Sequence, residues 1–205
     1  FGDIVTADHV EFGKGVNQFV KALCMKDVAT DFKWANPTTT AQEENCSNDI
    51  QWFVNHASVK LWYGDKHSGV EKALKLMKIP PEFSEPGNPT NNAIAERNVQ
   101  DIEYGVKSLL LQAGLPQCFW PYAVQAYCVA ENKRPRRLRD GSFTTPFEKR
   151  YGQPFGADDI PFGAGVYYAP PATKPKPGKA APKLRYGIFV GYDLAPGGVF
   201  AGQYL

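Results

Sequence analysis

The chain has 205 residues, 43% of them apolar and 13% aromatic, which is enough to bury a core of one large or two small domains. No run of eighteen apolar residues occurs, so a membrane-spanning helix is excluded, and no basic-then-apolar leader is present. The net charge of +2 hides an asymmetry: residues 1–132 carry 11 Lys/Arg against 16 Asp/Glu, a balance of −5, while residues 133–205 carry 12 against 5, a balance of +7.

The four cysteines (Cys24, Cys46, Cys118, Cys128) form no C-x-x-C pair, and His9, His56 and His67 stand at no metal-ligand spacing. A zinc module is not expected; free thiols in a reducing compartment, nucleus or cytoplasm, are. The chain does not begin with Met and reads as a piece of a longer polypeptide.

In chain order, IVTADHVEF (4–12) and KALCMKDVATDFKWA (21–35) read as two paired strands around the turn Gly13-Lys14-Gly15. Thr40 followed by Glu43 has the capping-box spacing, and Ile50, Phe53, Val54 and Ala57 share a helical face, predicting a helix over about 40–57. SVKLWYGD (58–65) predicts a short strand ending in an acid. Ser68 with Glu71 opens a helix lined by Val70, Ala73, Leu74 and Met77.

PGNPTNNAIAER (86–97) then leads into a long amphipathic helix with apolar steps at 95, 99, 102, 106, 109 or 110 and 113, stopped by Gly114 and Pro116. CFWPYAVQAYCVAEN (118–132) predicts a helix packed on several sides. Residues 133–160 read as a basic, Gly/Pro-punctuated connection, and 161–205 as short strands with a turn at Pro196-Gly197-Gly198 and a Lys/Pro-rich loop at 174–183. The whole is a mixed α/β arrangement followed by a small β unit. Trp34, Trp52, Trp62 and Trp120 are expected in the core.

Three acids fall at predicted strand or helix ends: Asp8, Asp65 and Glu96. Gathered carboxylates repel one another unless a cation neutralises them, and hard oxygen ligands suit Mg²⁺ or Mn²⁺ acting on a phosphodiester. The competing reading makes Asp8 a solvated strand residue, Asp65 a turn acid and Glu96 a first-turn complement to the helix dipole. KRPRRLR (133–139) presents Lys133, Arg134, Arg136, Arg137 and Arg139, suited to phosphates or nuclear import, or else a solvated linker.

Several stretches resemble the integrase segment of copia-like long-terminal-repeat retrotransposon polyproteins. They are VTADHV (5–10), KDVATDFKWANP (26–37), LWYGD (61–65), SEPGNPTNNAIAER (84–97), LLLQAGLPQCFWPYAVQAYCVAEN (109–132), TTPFEKRYGQ (144–153), and PFGAGVYY with GIFVGY and GG (161–198). The resemblance implies a ribonuclease H-like mixed sheet flanked by helices over 1–132, a basic linker over 133–160 and an SH3-like β-barrel over 161–205. It implies an acidic triad Asp8, Asp65 and Glu96 holding two ions of Mg²⁺ or Mn²⁺, with Asp27 structural and Asp3 and Asp31 on the surface.

It further implies DNA 3′-end processing and strand transfer without a small-molecule cofactor, DNA and further copies of the chain as partners, and Asn88, Thr90, Asn91, Asn92 and Arg97 bordering the DNA. Three features depart from the family pattern: Lys66-His67 follow the second acid, Gln100 and Glu103 replace basic residues beyond Glu96, and no His/Cys zinc module is present. Two alternatives stay open. One is a decayed or repurposed remnant that binds nucleic acid or serves structurally; the other is a ribonuclease H-like nuclease.

Overall fold

The computed structural model describes residues 1–84, 92–170 and 182–205. A five-stranded mixed sheet has the order β3-β2-β1-β4-β5, with β1 Val5–Glu11, β2 Lys21–Asp27, β3 Lys33–Thr38, β4 Trp62–Gly64 and β5 Pro81–Phe83. Strands β1 to β3 form an antiparallel meander, and β4 and β5 add in parallel beyond β1. Ala22, Leu23, Cys24 and Met25 on β2 are all buried. Because successive strand residues face opposite sides, the sheet must be covered on both faces.

The cover comes from helices. Helices α1 (Glu43–Val54) and α2 (Ser68–Met77) pack on each other, with α1 also against β2 and β3. Helices α3 (Ala93–Ala113) and α4 (Trp120–Lys133) pack on each other, α3 against β1 and β2 and α4 against β3. Asn132 near the end of α4 stitches the helix to the sheet: its Oδ1 accepts from Lys33 N at 2.9 Å and its Nδ2 donates to Lys33 O at 2.8 Å. Three of the four tryptophans, Trp34, Trp62 and Trp120, are core residues, and Trp52 is partly buried with its ring stacked on Trp34.

The structure corrects several element boundaries. The predicted strand over 21–35 is two strands, because Asp27 turns the chain: its carboxylate accepts from Thr30 N (2.8 Å) and Thr30 Oγ1 (2.6 Å), and Asp31 follows with a left-handed φ of 63°. The Thr40/Glu43 capping box does not form; α1 starts later, with Gln42 at its N-cap, and Thr40 Oγ1 instead accepts from Asn45 Nδ2 at 2.9 Å. Helix α2 is capped by His67, whose Nδ1 accepts from Gly69 N at 3.2 Å, one residue before the expected Ser68.

Residues 133–160 contain more than a connection. A two-residue ribbon pairs β6 (Arg136–Arg137) with β7 (Phe143–Thr144), and α5 (Pro146–Tyr151) follows. A capping box opens α5: Thr145 Oγ1 accepts from Glu148 N at 3.0 Å while Glu148 Oε2 accepts from Thr145 N at 2.7 Å. This signal was present in the sequence as T-x-x-E but sat in a segment read as irregular.

The C-terminal region is small and strand-rich, as expected. Among the described residues it consists of two ribbons, β8 (Gly165–Tyr168) with β9 (Arg185–Ile188) and β10 (Tyr192–Ala195) with β11 (Val199–Tyr204), rather than one closed barrel. Leu205 ties them together, its carbonyl accepting from Val190 N at 2.9 Å and its N–H donating to Gly191 O at 2.8 Å. The turn at Pro196-Gly197-Gly198 forms with positive φ at both glycines, 87° and 85°. It docks on α1 and α5, with Gly197 N donating to Trp52 O and Tyr151 Oη donating to Gly197 O, both at 2.7 Å.

Candidate functional site

Asp8 lies on β1 and Asp65 immediately follows β4. Ala7 and Gly64 are the last paired residues of these parallel strands, so the two acids occupy adjacent positions one step further along. Gly64 permits this closeness: a Cβ there would sit 2.7 Å from the Ala7 carbonyl oxygen. Gly64→Ala is expected to push β4 away from β1 and cost about 1–3 kcal/mol, the usual range for overpacking, read as a lower urea midpoint. An unchanged midpoint would show that the strands can separate freely.

Glu96 stands in the first turn of α3, the helix that packs on β1. Burial pushes the Asp8 carboxyl above the usual carboxylate range; the His9 N–H donating to Asp8 Oδ1 at 2.7 Å works against this, and the charges of Asp65 and Glu96 add to it. Asp65 and Glu96, from two distant stretches, are thus both within electrostatic reach of Asp8.

Their side chains are not gathered into a chelate. Among the described residues no group of three or more His, Cys, Asp or Glu is arranged to hold a metal ion. Asp8 is turned to its own chain at His9, and Asp65 accepts a hydrogen bond from Ser84 Oγ. Like charges without a cation between them take separate donors. Lys66, next in the chain, makes no ion pair with Asp65 among the described residues; Ser84 Oγ donates to Asp65 instead.

No protein-family model matches the sequence. Over 113 residues, 54% of the chain, it is 31% identical to the retrovirus-related Pol polyprotein from transposon RE2 of Arabidopsis thaliana, and equally to that from transposon RE1 of the same plant. Over 57 residues, 28% of the chain, it is 43% identical to the retrovirus-related Pol polyprotein from transposon TNT 1-94 of Nicotiana tabacum. Its homologues are retrovirus-related Pol polyproteins of copia-like transposons.

The matched part of the chain spans only 7% of the RE1 and RE2 Pol polyproteins and 4% of the TNT 1-94 one. The fold is like that of the catalytic core domain of BIV integrase, at a TM-score of 0.54 and 16% identity, covering 73% of this chain and 93% of that domain. At that identity the likeness is one of ribonuclease H-like fold.

Within this fold the other sequence candidates are placed as follows. Asn88, Thr90 and Asn91 lie outside the described residues. Asn92 is the N-cap of α3; its side chain is buried, with neither amide atom hydrogen-bonded among the described residues. Arg97 is exposed and shares a cleft of about 620 Å³ with Arg134 and Arg136, which sequence spacing alone did not connect. Arg134 and Arg136 both pair with Glu131, at 3.1 and 3.2 Å.

Lys133 pairs with Asp159 and lies over the rings of Phe155 and Tyr192, at 5.0 and 5.3 Å, so much of its charge serves to dock the C-terminal region. Arg137 and Arg139 are exposed. Among the acids left outside the triad, Asp27 is fully buried and structural, as expected, and Asp3 and Asp31 pair with Lys60 and Lys26 near the surface.

Sequence reasoning missed a cluster beside the acids. The His9 and His67 rings are 4.6 Å apart, and Cys46 Sγ is 3.9 Å from His9 Nε2. Burial first, then His67 and Lys21, pushes His9 down to about 4, so it is neutral near pH 7. Residues 9, 46 and 67 have no telling spacing; only the β1–β4 pairing and the start of α2 bring them together.

Proposed function

We propose that the chain is the catalytic part of an integrase-type polynucleotidyl transferase, with Asp8, Asp65 and Glu96 as its acidic triad. What supports this reading is that the Asp8 carboxyl on β1 feels the charges of both Asp65, at the end of β4, and Glu96, in the first turn of α3. The donor set is all carboxylate oxygen, which fits Mg²⁺ or Mn²⁺, and the strain of adjacent like charges is what a cation would relieve. When bound there, divalent ions supply Lewis-acid polarisation of a phosphodiester and a lowered pKa for an attacking hydroxyl.

The chain's own residues set the stage for that chemistry. The His9 N–H and Ser84 Oγ orient Asp8 and Asp65, and the first turn of a 21-residue helix holds Glu96 on a rigid element. Water first cleaves near a DNA 3′ end, releasing a short fragment. The freed 3′ hydroxyl then attacks a target phosphodiester, forming a new P–O bond as the target's 3′ oxygen leaves.

In this reading residues 1–132 are the catalytic core, 133–160 the basic connection and 161–205 the β unit. Asn88, Thr90, Asn91, Asn92 and Arg97 border the DNA end, and Arg134, Arg136, Arg137 and Arg139 face phosphates, while Lys133 stays with Asp159. DNA and further copies of the chain are the partners, and the nucleus or cytoplasm is the setting. Among the described residues no helix is long and apolar enough to cross a membrane.

A second reading, a fold kept after its chemistry was lost, is favoured by one observation: Asp8 and Asp65 are engaged by local donors and no three-ligand cluster is formed. Mn²⁺ titration followed by paramagnetic broadening of backbone amide signals separates the two. Saturable broadening centred on residues 8, 65 and 96 is expected for the transferase. Broadening scattered over surface acids, or none, supports the retired fold.

A further inference from the structure

A cavity of about 380 Å³ opens away from the acidic triad, between the β1–β2 loop, the end of β3, α1 and α4. Its size is in the range of small-ligand pockets. Asp49 of α1 presents a carboxylate whose Oδ2 is buried and accepts no hydrogen bond. Asn36 answers it only in part: its Nδ2 amide favours the charged carboxyl but lies 3.4 Å from the Asp49 backbone carbonyl and leaves Oδ2 unpartnered, and its Oδ1 is taken by Trp34 Nε1 at 2.6 Å.

No Lys, Arg or His lines the cavity; around the acid stand the amides of Asn17, Asn48 and Gln125 and the rings of Trp52 and Tyr122. The rim is also unusual in its backbone, since Asn17 and Gln18 both adopt left-handed φ, 58° and 64°. Consecutive non-glycine residues of this kind gather at ligand clamps.

We infer that this cavity binds a guanidinium group, with the Asp49 carboxylate as its anionic partner, amide oxygens as further acceptors and Trp52 as a stacking face. A carboxylate with an orphaned oxygen, in a lining that holds no cationic side chain, calls for a guest rich in N–H donors and positively charged. A planar fork of donors that stacks on an indole matches the lining better than a compact ammonium. The inference does not depend on the transferase reading.

Protonation supports the same view. Burial pushes the Asp49 carboxyl up to about 7, with the Asn36 amide acting in the opposite direction. The other titratable groups near it are Tyr122 on α4 and Cys46 on α1, the latter pushed up to about 11 by burial; no positive side chain faces Asp49 in the cavity. A cationic guest is therefore held more tightly above pH 7 than below it.

The test titrates the whole chain with agmatine, with the blocked peptide acetyl-Gly-Arg-Gly-amide and with butylamine, following amide chemical shifts at pH 8.0 and pH 5.5. Shifts confined to residues 17, 36, 48, 49 and 52 are expected at pH 8.0, with butylamine weaker. Asp49→Asn, or the lower pH, is expected to weaken binding about tenfold, the usual worth of a charge-assisted hydrogen bond.

Binding of agmatine alone would identify a free small molecule as the source, and binding of the peptide an arginine side chain. Gln125→Ala, on the opposite wall, gives an independent variant, and a thermal melt of each confirms folding. No shift with either guanidinium probe, equal binding of butylamine, or undiminished binding by folded Asp49→Asn overturns the inference.

Discussion

Glu96→Gln is expected to lower divalent-ion-dependent joining of a DNA end to target DNA by about three orders of magnitude, matching the several kcal/mol of charge stabilisation that metal ions contribute to such transfers. The substitution keeps size and removes only the charge. Glu96 is exposed on the first turn of α3 and makes no ion pair or side-chain hydrogen bond among the described residues, so the melting temperature should hardly move. That separation makes the result interpretable: the readout is joining of a labelled oligonucleotide duplex in Mn²⁺, beside a thermal melt. Joining retained within a few-fold of the unsubstituted chain would remove Glu96 from the proposed triad.

Asp27→Ala should have the opposite profile, costing about 3–5 kcal/mol of stability with any loss of activity following from unfolding. Asp27 is completely buried at the end of β2, where it accepts from Gly2 N at 2.8 Å and from both Thr30 N and Thr30 Oγ1. The change to Ala leaves two buried N–H groups and a hydroxyl without their acceptor, and it releases both the chain's start and the β2–β3 turn. Asp27→Asn, which keeps one acceptor oxygen, should lose roughly half as much. Urea unfolding would show a lower midpoint with little change of slope. A midpoint equal to that of the unsubstituted chain would mean that the turn and the start of the chain find other acceptors.

Legibility from sequence followed the range of the forces involved. Helix α3 was readable because its apolar steps and the stop at Gly114 repeat over 21 residues, and Ile102, Val106 and Leu110 are indeed buried. Helix α4 was readable from the density of its apolar residues. The β2–β3 break was not, since KALCMKDVATDFKWA is strand-like throughout and the turn is imposed by one acid folding back on Thr30. The Thr40/Glu43 signal failed for a related reason: Thr40 had a competing partner in Asn45.

The candidate site divides in the same way. Asp8, Asp65 and Glu96 could be singled out by strand-end and helix-start positions and by the resemblance to copia-like polyproteins. Their adjacency depends on parallel pairing of β1 with β4 and on α3 lying over β1. Likewise KRPRRLR was visible as charge, but that Lys133 serves Asp159, Phe155 and Tyr192, while Arg134 and Arg136 share Glu131, is a matter of tertiary contact.

The sequence by itself determined the α/β class, the order of most elements and the burial of Trp34, Trp62 and Trp120, because periodicity and apolar content act locally along the chain; it offered the three acids only as candidates. Only the tertiary structure decided where the carboxylates point, that His9 meets His67 and Cys46, and that Asp49 Oδ2 is left without a donor in a cavity. Those outcomes depend on which distant residues arrive within hydrogen-bond or Coulomb range, and sequence spacing carries no record of that.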